Sequence, residues 1–438
     1  MTDPSVLPPN QVQLRRAVAS SFLGSVIEYY DFLLYATASA VVFSKVFFSS
    51  LDPLTATVAS FGTFATGYLA RPLGGVIFGH FGDRLGRKQM LILTMTLMGL
   101  ASFLIGLLPT YEQIGFLAPV ALVVLRVLQG VAIGGEWGGA VLMSAEHATS
   151  RRGLWASFTS AGAPFGMVLS TGVLSGTAAV LGEQAFLSWG WRVPFLLSIV
   201  LLAVGLFVRL RVEETPVFAA GGPRVRVPLV DVLRNHPRTL LLGVGVGLAA
   251  FVAQGTLTTY LIAYGVRTGF TRQEVLNGLT LSSALAVVGI IAFAALSDQV
   301  GRRPVVLTGA VLMAAFGFAL FPMVNTGSVV VLTIALVLGQ AIIHPLMFGP
   351  LGALYAELFP TGNRYTGASL GYQFAGLGAG LGPLLFAQMD ASSGGGSTTT
   401  ISVVIAVCCL LTVVCVLALR ETRSDDLASD APAVAADA

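Results

Sequence analysis

The chain has 438 residues, 55% of them hydrophobic and only 10% charged, with a formal net charge of +3 and a mean hydropathy of +0.84. That is more apolar surface than a water-soluble core can hide, so a soluble enzyme is excluded and the lipid bilayer becomes the expected partner; no nucleic-acid partner is expected.

The apolar residues fall into stretches of roughly 20, the length a helix needs to cross about 30 Å of hydrocarbon. In chain order they predict spans at 17–43, 55–80, 89–109, 115–145, 153–181, 191–211, 239–266, 275–297, 304–323, 328–358, 364–388 and 399–419, twelve helices of an all-α membrane protein. Residues 1–16 precede the first span, the polar segment 212–238 separates the sixth from the seventh, and a short tail follows from 420 to 438. Glu28 and Asp31 interrupt the first span and no small-residue cleavage site follows it, so it reads as a retained helix rather than a signal peptide. The run GVAIGGEWGGA at 130–140 places small residues where helix backbones can approach closely. Cys408, Cys409 and Cys415 all lie in the last span, without metal-ligand or redox spacing, and are expected to pack or face lipid.

The basic residues are unevenly placed. Arg15, Arg16, Arg84, Arg87, Lys88, Arg151, Arg152, Arg302, Arg303, Arg364, Arg420 and Arg423 lie at breaks of one parity, joined by Arg209, Arg211, Arg224, Arg226, Arg234 and Arg238 of the middle loop. The other breaks hold Lys45, Arg267 and Arg272. The positive-inside rule therefore places both termini in the cytoplasm, in agreement with an even number of spans.

A repeat underlies this order. GHFGDRLGRK at 79–88 returns as LSDQVGRRP at 296–304, matching Asp83 to Asp298, Gly86 to Gly301, Arg87 to Arg302 and Lys88 to Arg303. AEHATSRRGLWAS at 145–157 and AELFPTGNRYTGAS at 356–369 form a second pair, each with a Glu closing one span and Ala-Ser opening the next. The chain thus reads as two six-helix halves, 17–211 and 239–419, related by an axis along the membrane normal.

The loop at 79–88 resembles the loop signature of the major facilitator superfamily, and RVLQG at 126–130 resembles its fourth-helix motif. EYYDF at 28–32, RPLGGVIFGHFGDRLGRK at 71–88, GGEWGGA at 134–140, WGWRVPFL at 189–196, EETPVF at 213–218 and FPTGNRYTGASLGYQ at 359–373 resemble, more narrowly, the metabolite:proton symporter family. Members of that family carry organic acids such as 2-oxoglutarate, citrate and shikimate, or proline and betaine. The resemblance implies the major facilitator fold, alternating access, and a cytoplasmic gate of Asp83, Arg87 and Glu146 in one half and Asp298, Arg302 and Glu357 in the other, with Arg364 beside it. Ion pairs with two arrangements suit such a gate; Arg84, Arg87 and Lys88 would also satisfy the positive-inside rule alone.

Charges inside the spans are functional candidates because they are costly in hydrocarbon. Glu28 and Asp31, three residues apart, share a helix face, where like-charge repulsion lets one of them load and release a proton, the coupling ion. Arg126 and Glu136 join them as proton-coupling candidates, while Arg71 and Arg126 could hold an anionic substrate bidentately or simply neutralise the acids. Arg192, beside Trp189 and Trp191, reads as an interface anchor. The second half offers His344 with Gln254, Tyr260, Tyr264, Tyr372 and Gln373 for substrate shape.

The leading expectation is a proton-coupled importer of a small organic acid in the plasma membrane, monomeric, with no metal and no cofactor other than the proton. A zwitterionic osmolyte is the rival substrate, although the tail lacks the heptads of a coiled coil, and an uncoupled facilitator is a third account. No Walker loop, HExxH or nucleophile–base pair is present, which disfavours an enzyme.

Overall fold

The computed structural model describes residues 11–85, 87–148, 150–210, 228–360, 363–392 and 398–424. In hydrocarbon a backbone N–H or C=O has no water to bond, so each apolar run closes its own hydrogen bonds as a helix. The spanning helices are α1 (Arg16–Val46), α2 (Pro53–Leu85), α3 (Lys88–Leu107), α4 (Leu117–Ala145), α5 (Arg152–Gly190), α6 (Arg192–Leu210), α7 (Pro237–Arg267), α8 (Arg272–Val300), α9 (Arg302–Val324), α10 (Val329–Leu358), α11 (Arg364–Ser392) and α12 (Thr398–Ala418).

The ends differ from the sequence expectation by a few residues, with two larger departures. The fifth helix does not stop at 181; it resumes after Gly182, whose φ of 74° and ψ of 165° break the helix in a region that only glycine enters freely. Within the polar linker segment 212–238, Pro228–Asn235 forms a short helix, and residues 211–227 lie outside the described residues. Wider π-helical turns interrupt α1 at Ser39–Phe43, α5 at Phe186–Gly190, α7 at Thr256–Tyr260 and α10 at Val337–Ile343. Such turns re-aim side chains by opening the ladder, and α1 and α7 are equivalent helices of the two halves.

Small residues set the packing inside each half. The α2 and α4 backbones run so close that a Cβ on Gly130 would lie 2.0 Å from the Gly67 carbonyl oxygen, and one on Gly134 2.0 Å from that of Arg71. The second half repeats the contact between its own second and fourth helices, α8 and α10, where a Cβ on Gly289 would lie 2.3 Å from the Ala341 carbonyl oxygen. With lipid tails as apolar as leucine, this close backbone contact supplies the dispersion that holds helices together. The halves meet along α2 with α11 and α5 with α8, a pairing that maps onto itself when the halves are exchanged.

Gly130→Val is expected to destabilise the protein by about 3 kcal/mol or more, because no side chain fits between α2 and α4. Gly176→Val, at a position with nothing within 4 Å of the added Cβ, is the control. Thermal unfolding of the two purified variants against the unmodified protein checks the difference, and equal melting temperatures would contradict the packing argument.

Candidate functional site

Among the described residues, six charged side chains are buried in the first half, Glu28, Asp31, Arg71, Arg126, Glu136 and Arg209, none more than 3% exposed. Arg209, which sequence parity assigned to the middle loop, is instead part of α6 and donates to Glu136 Oε1 at 2.6 Å. The glycine at 24 makes room for it, since a Cβ there would lie 2.3 Å from Arg209 Nη2. A lone acid in a glycine-rich span demands a counter-ion, and that was the signal available for finding Arg209.

Glu28 and Asp31 share a helix face but not a set of partners, which corrects the expectation of one coupled pair. The charges acting on Glu28 are Glu136, Arg71 and Arg209, and its Oε1 has no hydrogen bond. Asp31 accepts instead from the hydroxyl of Ser198 on α6, with the Ser102 hydroxyl of α3 nearby. Ser102 in turn accepts from Gln129 Nε2 at 2.6 Å, and Gln129 Oε1 accepts from Arg126 Nη1 at 3.0 Å. Asp31 and Arg126 are thus not paired; two neutral side chains, Ser102 and Gln129, stand between them.

Neither Arg71 nor Arg126 meets a carboxylate among the described residues; both lie on aromatic rings. Arg126 stacks over Phe32, Tyr35 and Phe64 at 3.8, 4.2 and 5.0 Å from the ring centroids, and its Nε and Nη2 are buried without a hydrogen bond. Arg71 lies over Tyr68 and Phe32 at 4.9 and 5.4 Å, its Nε donates to Gln373 Oε1 at 2.7 Å, and Nη1 and Nη2 have no partner. Ring faces offset part of the cost of burying a guanidinium while leaving its N–H edge to a ligand. Gln373 also donates to the Gly134 carbonyl at 3.1 Å, and Tyr372 shares a 2.8 Å hydroxyl hydrogen bond with Tyr29 while stacking on Trp137 at 3.4 Å. Tyr372 and Gln373 therefore bring α11 against the arginines of the other half.

The remaining expected substrate residues divide between two cavities. Gln254 and His344 line a small central cavity with Gln340 and Phe348. Tyr260 and Tyr264 do not; they line a cavity of about 570 Å³ on the face opposite the arginine-rich one, together with Lys45, Arg267, Arg272 and Asp390. There Asp390 accepts from the Tyr260 hydroxyl and pairs with Arg267 at 3.0 Å, and Tyr264 donates to Asn325 Oδ1 at 2.7 Å. Asp390 escaped the sequence analysis because it sits just past the expected end of its span. Arg192 lies over the Trp191 ring at 4.4 Å and donates to the carbonyls of Ser188 and Leu108.

At the arginine-rich face, Asp298 accepts from the backbone N–H groups of Gly153 and Leu154 at 2.9 and 2.8 Å, so an acid of the second half caps the first turn of α5 in the first half. Arg302 bonds Asp298 at 2.8 Å and Glu357 at 3.1 Å. Two residues beyond the last span complete the set: Glu421 accepts from the N–H groups of Arg302 and Arg303 at 2.8 and 3.1 Å, and buried Thr422 donates to Glu357 at 2.7 Å. Arg364 is buried, with Nε donating to the Phe359 carbonyl at 3.2 Å. The side chains of Asp83, Arg87 and Glu146 lie outside the described residues.

A family model described as Major Facilitator Superfamily matches residues 21–383 and, in part again, 278–435. The chain belongs to the Major Facilitator Superfamily. It is 39% identical over 383 residues to the shikimate transporter of Escherichia coli (strain K12), covering 86% of this chain and 87% of that one. It is 40% identical over 389 residues to the inner membrane metabolite transport protein YhjE of the same strain, covering 86% and 88%. The proline/betaine transporter of that strain is 34% identical over 400 residues, covering 87% and 79%. Among solved structures, the partially occluded inward open conformation of the xylose transporter XylE from E. coli superposes with a TM-score of 0.72, covering 95% of this chain and 100% of that one at 18% identity, a likeness of fold. The major facilitator protein described here is therefore a multi-pass membrane transporter, not an enzyme.

Removing one partner of a buried ion pair strands the other. Arg209→Met is expected to lower stability by about 3–5 kcal/mol, and Glu136→Gln in that background to recover most of the loss. Thermal unfolding of the single and double variants measures this; a double variant no better than Arg209→Met would show that the two side chains are not paired.

Proposed function

We propose that the protein is a proton-coupled importer of a small organic acid, working by alternating access in the cytoplasmic membrane with both termini inside. The observation that carries the reading is the pair Arg71 and Arg126, fully buried on aromatic rings with N–H groups that no carboxylate among the described residues meets. Two such guanidiniums suit a carboxylate, which takes hydrogen bonds two at a time.

Charge counting supplies the coupling. Among the described residues, the six buried charged groups of the first half balance when all are ionised, three acids against three arginines. An incoming carboxylate breaks that balance in a medium where an unmatched charge costs several kcal/mol, and one proton on Glu28, Asp31 or Glu136 restores it. Acid and proton then favour each other's binding, as symport requires. Asp31, bonded to the Ser198 hydroxyl rather than to an arginine, is the preferred proton carrier and Glu28 the alternate. The relatives that are a shikimate transporter and an inner membrane metabolite transport protein agree with this reading.

A zwitterionic osmolyte is the second reading. The proline/betaine relative and the rings around Tyr372 favour it, since quaternary ammonium groups bind ring faces. Trp137 and Tyr372, however, already cover each other's faces, at 3.4 Å and 9°.

In proteoliposomes, uptake of a carboxylate is expected to rise as external pH falls and to collapse with a protonophore. Asp31→Asn should abolish accumulation against a gradient and spare counterflow exchange, because a loaded carrier exchanges without giving up its proton. Uptake indifferent to both treatments would favour a facilitator.

The gate proposed for the arginine-rich face comprises Asp83, Arg87 and Glu146 with Asp298, Arg302, Glu357 and Arg364. Asp298→Asn is expected to impair transport while leaving ligand affinity within about tenfold, or ~1.4 kcal/mol, because it acts at the rim and not on the ligand. Equal transport rates at equal membrane insertion would remove Asp298 from the gate.

A further inference from the structure

The central cavity lies between α1, α5, α7, α8 and α10, and among its lining residues Gln254, Thr258, Gln340 and His344 carry the polar groups while no side chain there is a carboxylate, lysine or arginine. Gln254, Gln340 and His344 are at most 5% exposed. Gln340 Oε1 and both ring nitrogens of His344 are buried without a hydrogen bond of good geometry, with the Ala250 backbone beside the imidazole. Buried polar atoms left this way are expensive unless a ligand group or water meets them. The cavity measures about 10 Å³, room for one water-sized group.

Its position ties it to the arginines. Leu33 lines the cavity, and the neighbouring Phe32 carries both guanidiniums. On the other side a shelf of rings connects them: Arg71 lies 5.9 Å from the Tyr372 ring, Tyr372 6.5 Å from Phe348, and Phe348 stacks on His344 at 5.1 Å.

We infer that this cavity is a hydroxyl-recognising subsite, and that the transported acid carries a hydroxyl group at the end away from its carboxylate. The inference rests on the carboxylate reading of Arg71 and Arg126 and adds what the other end of the ligand must be. A hydroxyl both donates and accepts, so it answers the Gln340 carbonyl and an imidazole N–H together. A quaternary ammonium group does neither, and a second carboxylate would find no cation there.

The test uses single-hydroxyl pairs. Purified protein is melted with cyclohexanecarboxylate, with 3- and 4-hydroxycyclohexanecarboxylate, and with glycine betaine. At least one hydroxy acid is expected to stabilise at about tenfold lower concentration than the parent acid, one buried hydrogen bond's worth of affinity. Gln340→Leu and His344→Phe should each shrink that gap towards onefold, while Arg71→Lys weakens parent and hydroxy acid alike. Thr258→Val, which also lines the cavity, substitutes for either variant that does not fold. Acids that bind without hydroxyl preference, or a preference that survives the cavity substitutions, overturn the subsite and leave the organic-acid reading standing. Binding of betaine alone, or of none of the four, overturns both.

Discussion

A charge within hydrocarbon has to be matched, and most of what is specific to this protein follows from how six of them are matched in the first half. Glu136 and Arg209 answer each other directly. Asp31 is held by the Ser198 hydroxyl, with Ser102 and Gln129 between it and Arg126. Arg71 and Arg126 rest on ring faces and keep N–H groups over. The sequence places these side chains with little freedom, because the glycines at 130 and 134 bring α2 and α4 into near contact and those at 24 and 67 leave room for the Arg209 and Arg126 side chains. Packing and electrostatics are one problem here: a bulkier residue between α2 and α4 would move both arginines relative to the acids.

The second half is built differently. Its buried charges lie at its two ends, Arg302, Glu357 and Arg364 at the arginine-rich face and Asp390 at the other, with the middle left to glutamine, threonine, histidine and aromatic rings. A fold made by duplication has thus kept its backbone scheme, visible in the repeated α2–α4 and α8–α10 contacts, while its two centres have taken on unlike chemistry. Exchange of one half against the other about a ligand is the natural motion of such a pair, and the contacts along α2–α11 and α5–α8 are those it would have to remake.

Much of the fold was legible because lipid simplifies the code. Apolar runs of fixed length, arginine parity and the repeated DxxxRR-like loops gave twelve helices and two halves, and the family motifs pointed to the site. What stayed hidden depended on where side chains point. Arg209 reads as a loop arginine by parity, and only the packing of α6 against α3 and α1 turns it inward. Glu28 and Asp31 read as one pair at three residues' spacing, yet they diverge to different neighbours. Tyr260 and Tyr264 read as partners of Gln254, but the π-helical turn at Thr256–Tyr260 lies between them and sends the tyrosines to the outer cavity. Glu421 and Thr422 belong to a tail that composition gives no reason to notice.

Asp298 grips α5 through backbone N–H groups, so the hold does not depend on which side chains that turn displays, with one exception. A Cβ at residue 153 would lie 2.5 Å from Arg302 Nη1 and 2.8 Å from Asp298 Oδ1, directly between the carboxylate and the helix end it caps. Any residue other than glycine there is a wedge driven into the joint from the first half, with no charge removed and no ligand contact altered. Position 153 is thus a mechanical handle on the closure of the arginine-rich face: graded side-chain volume, from alanine upward, would prise that face open by degrees and give a set of carriers biased by sterics alone towards the conformation opposite to this one.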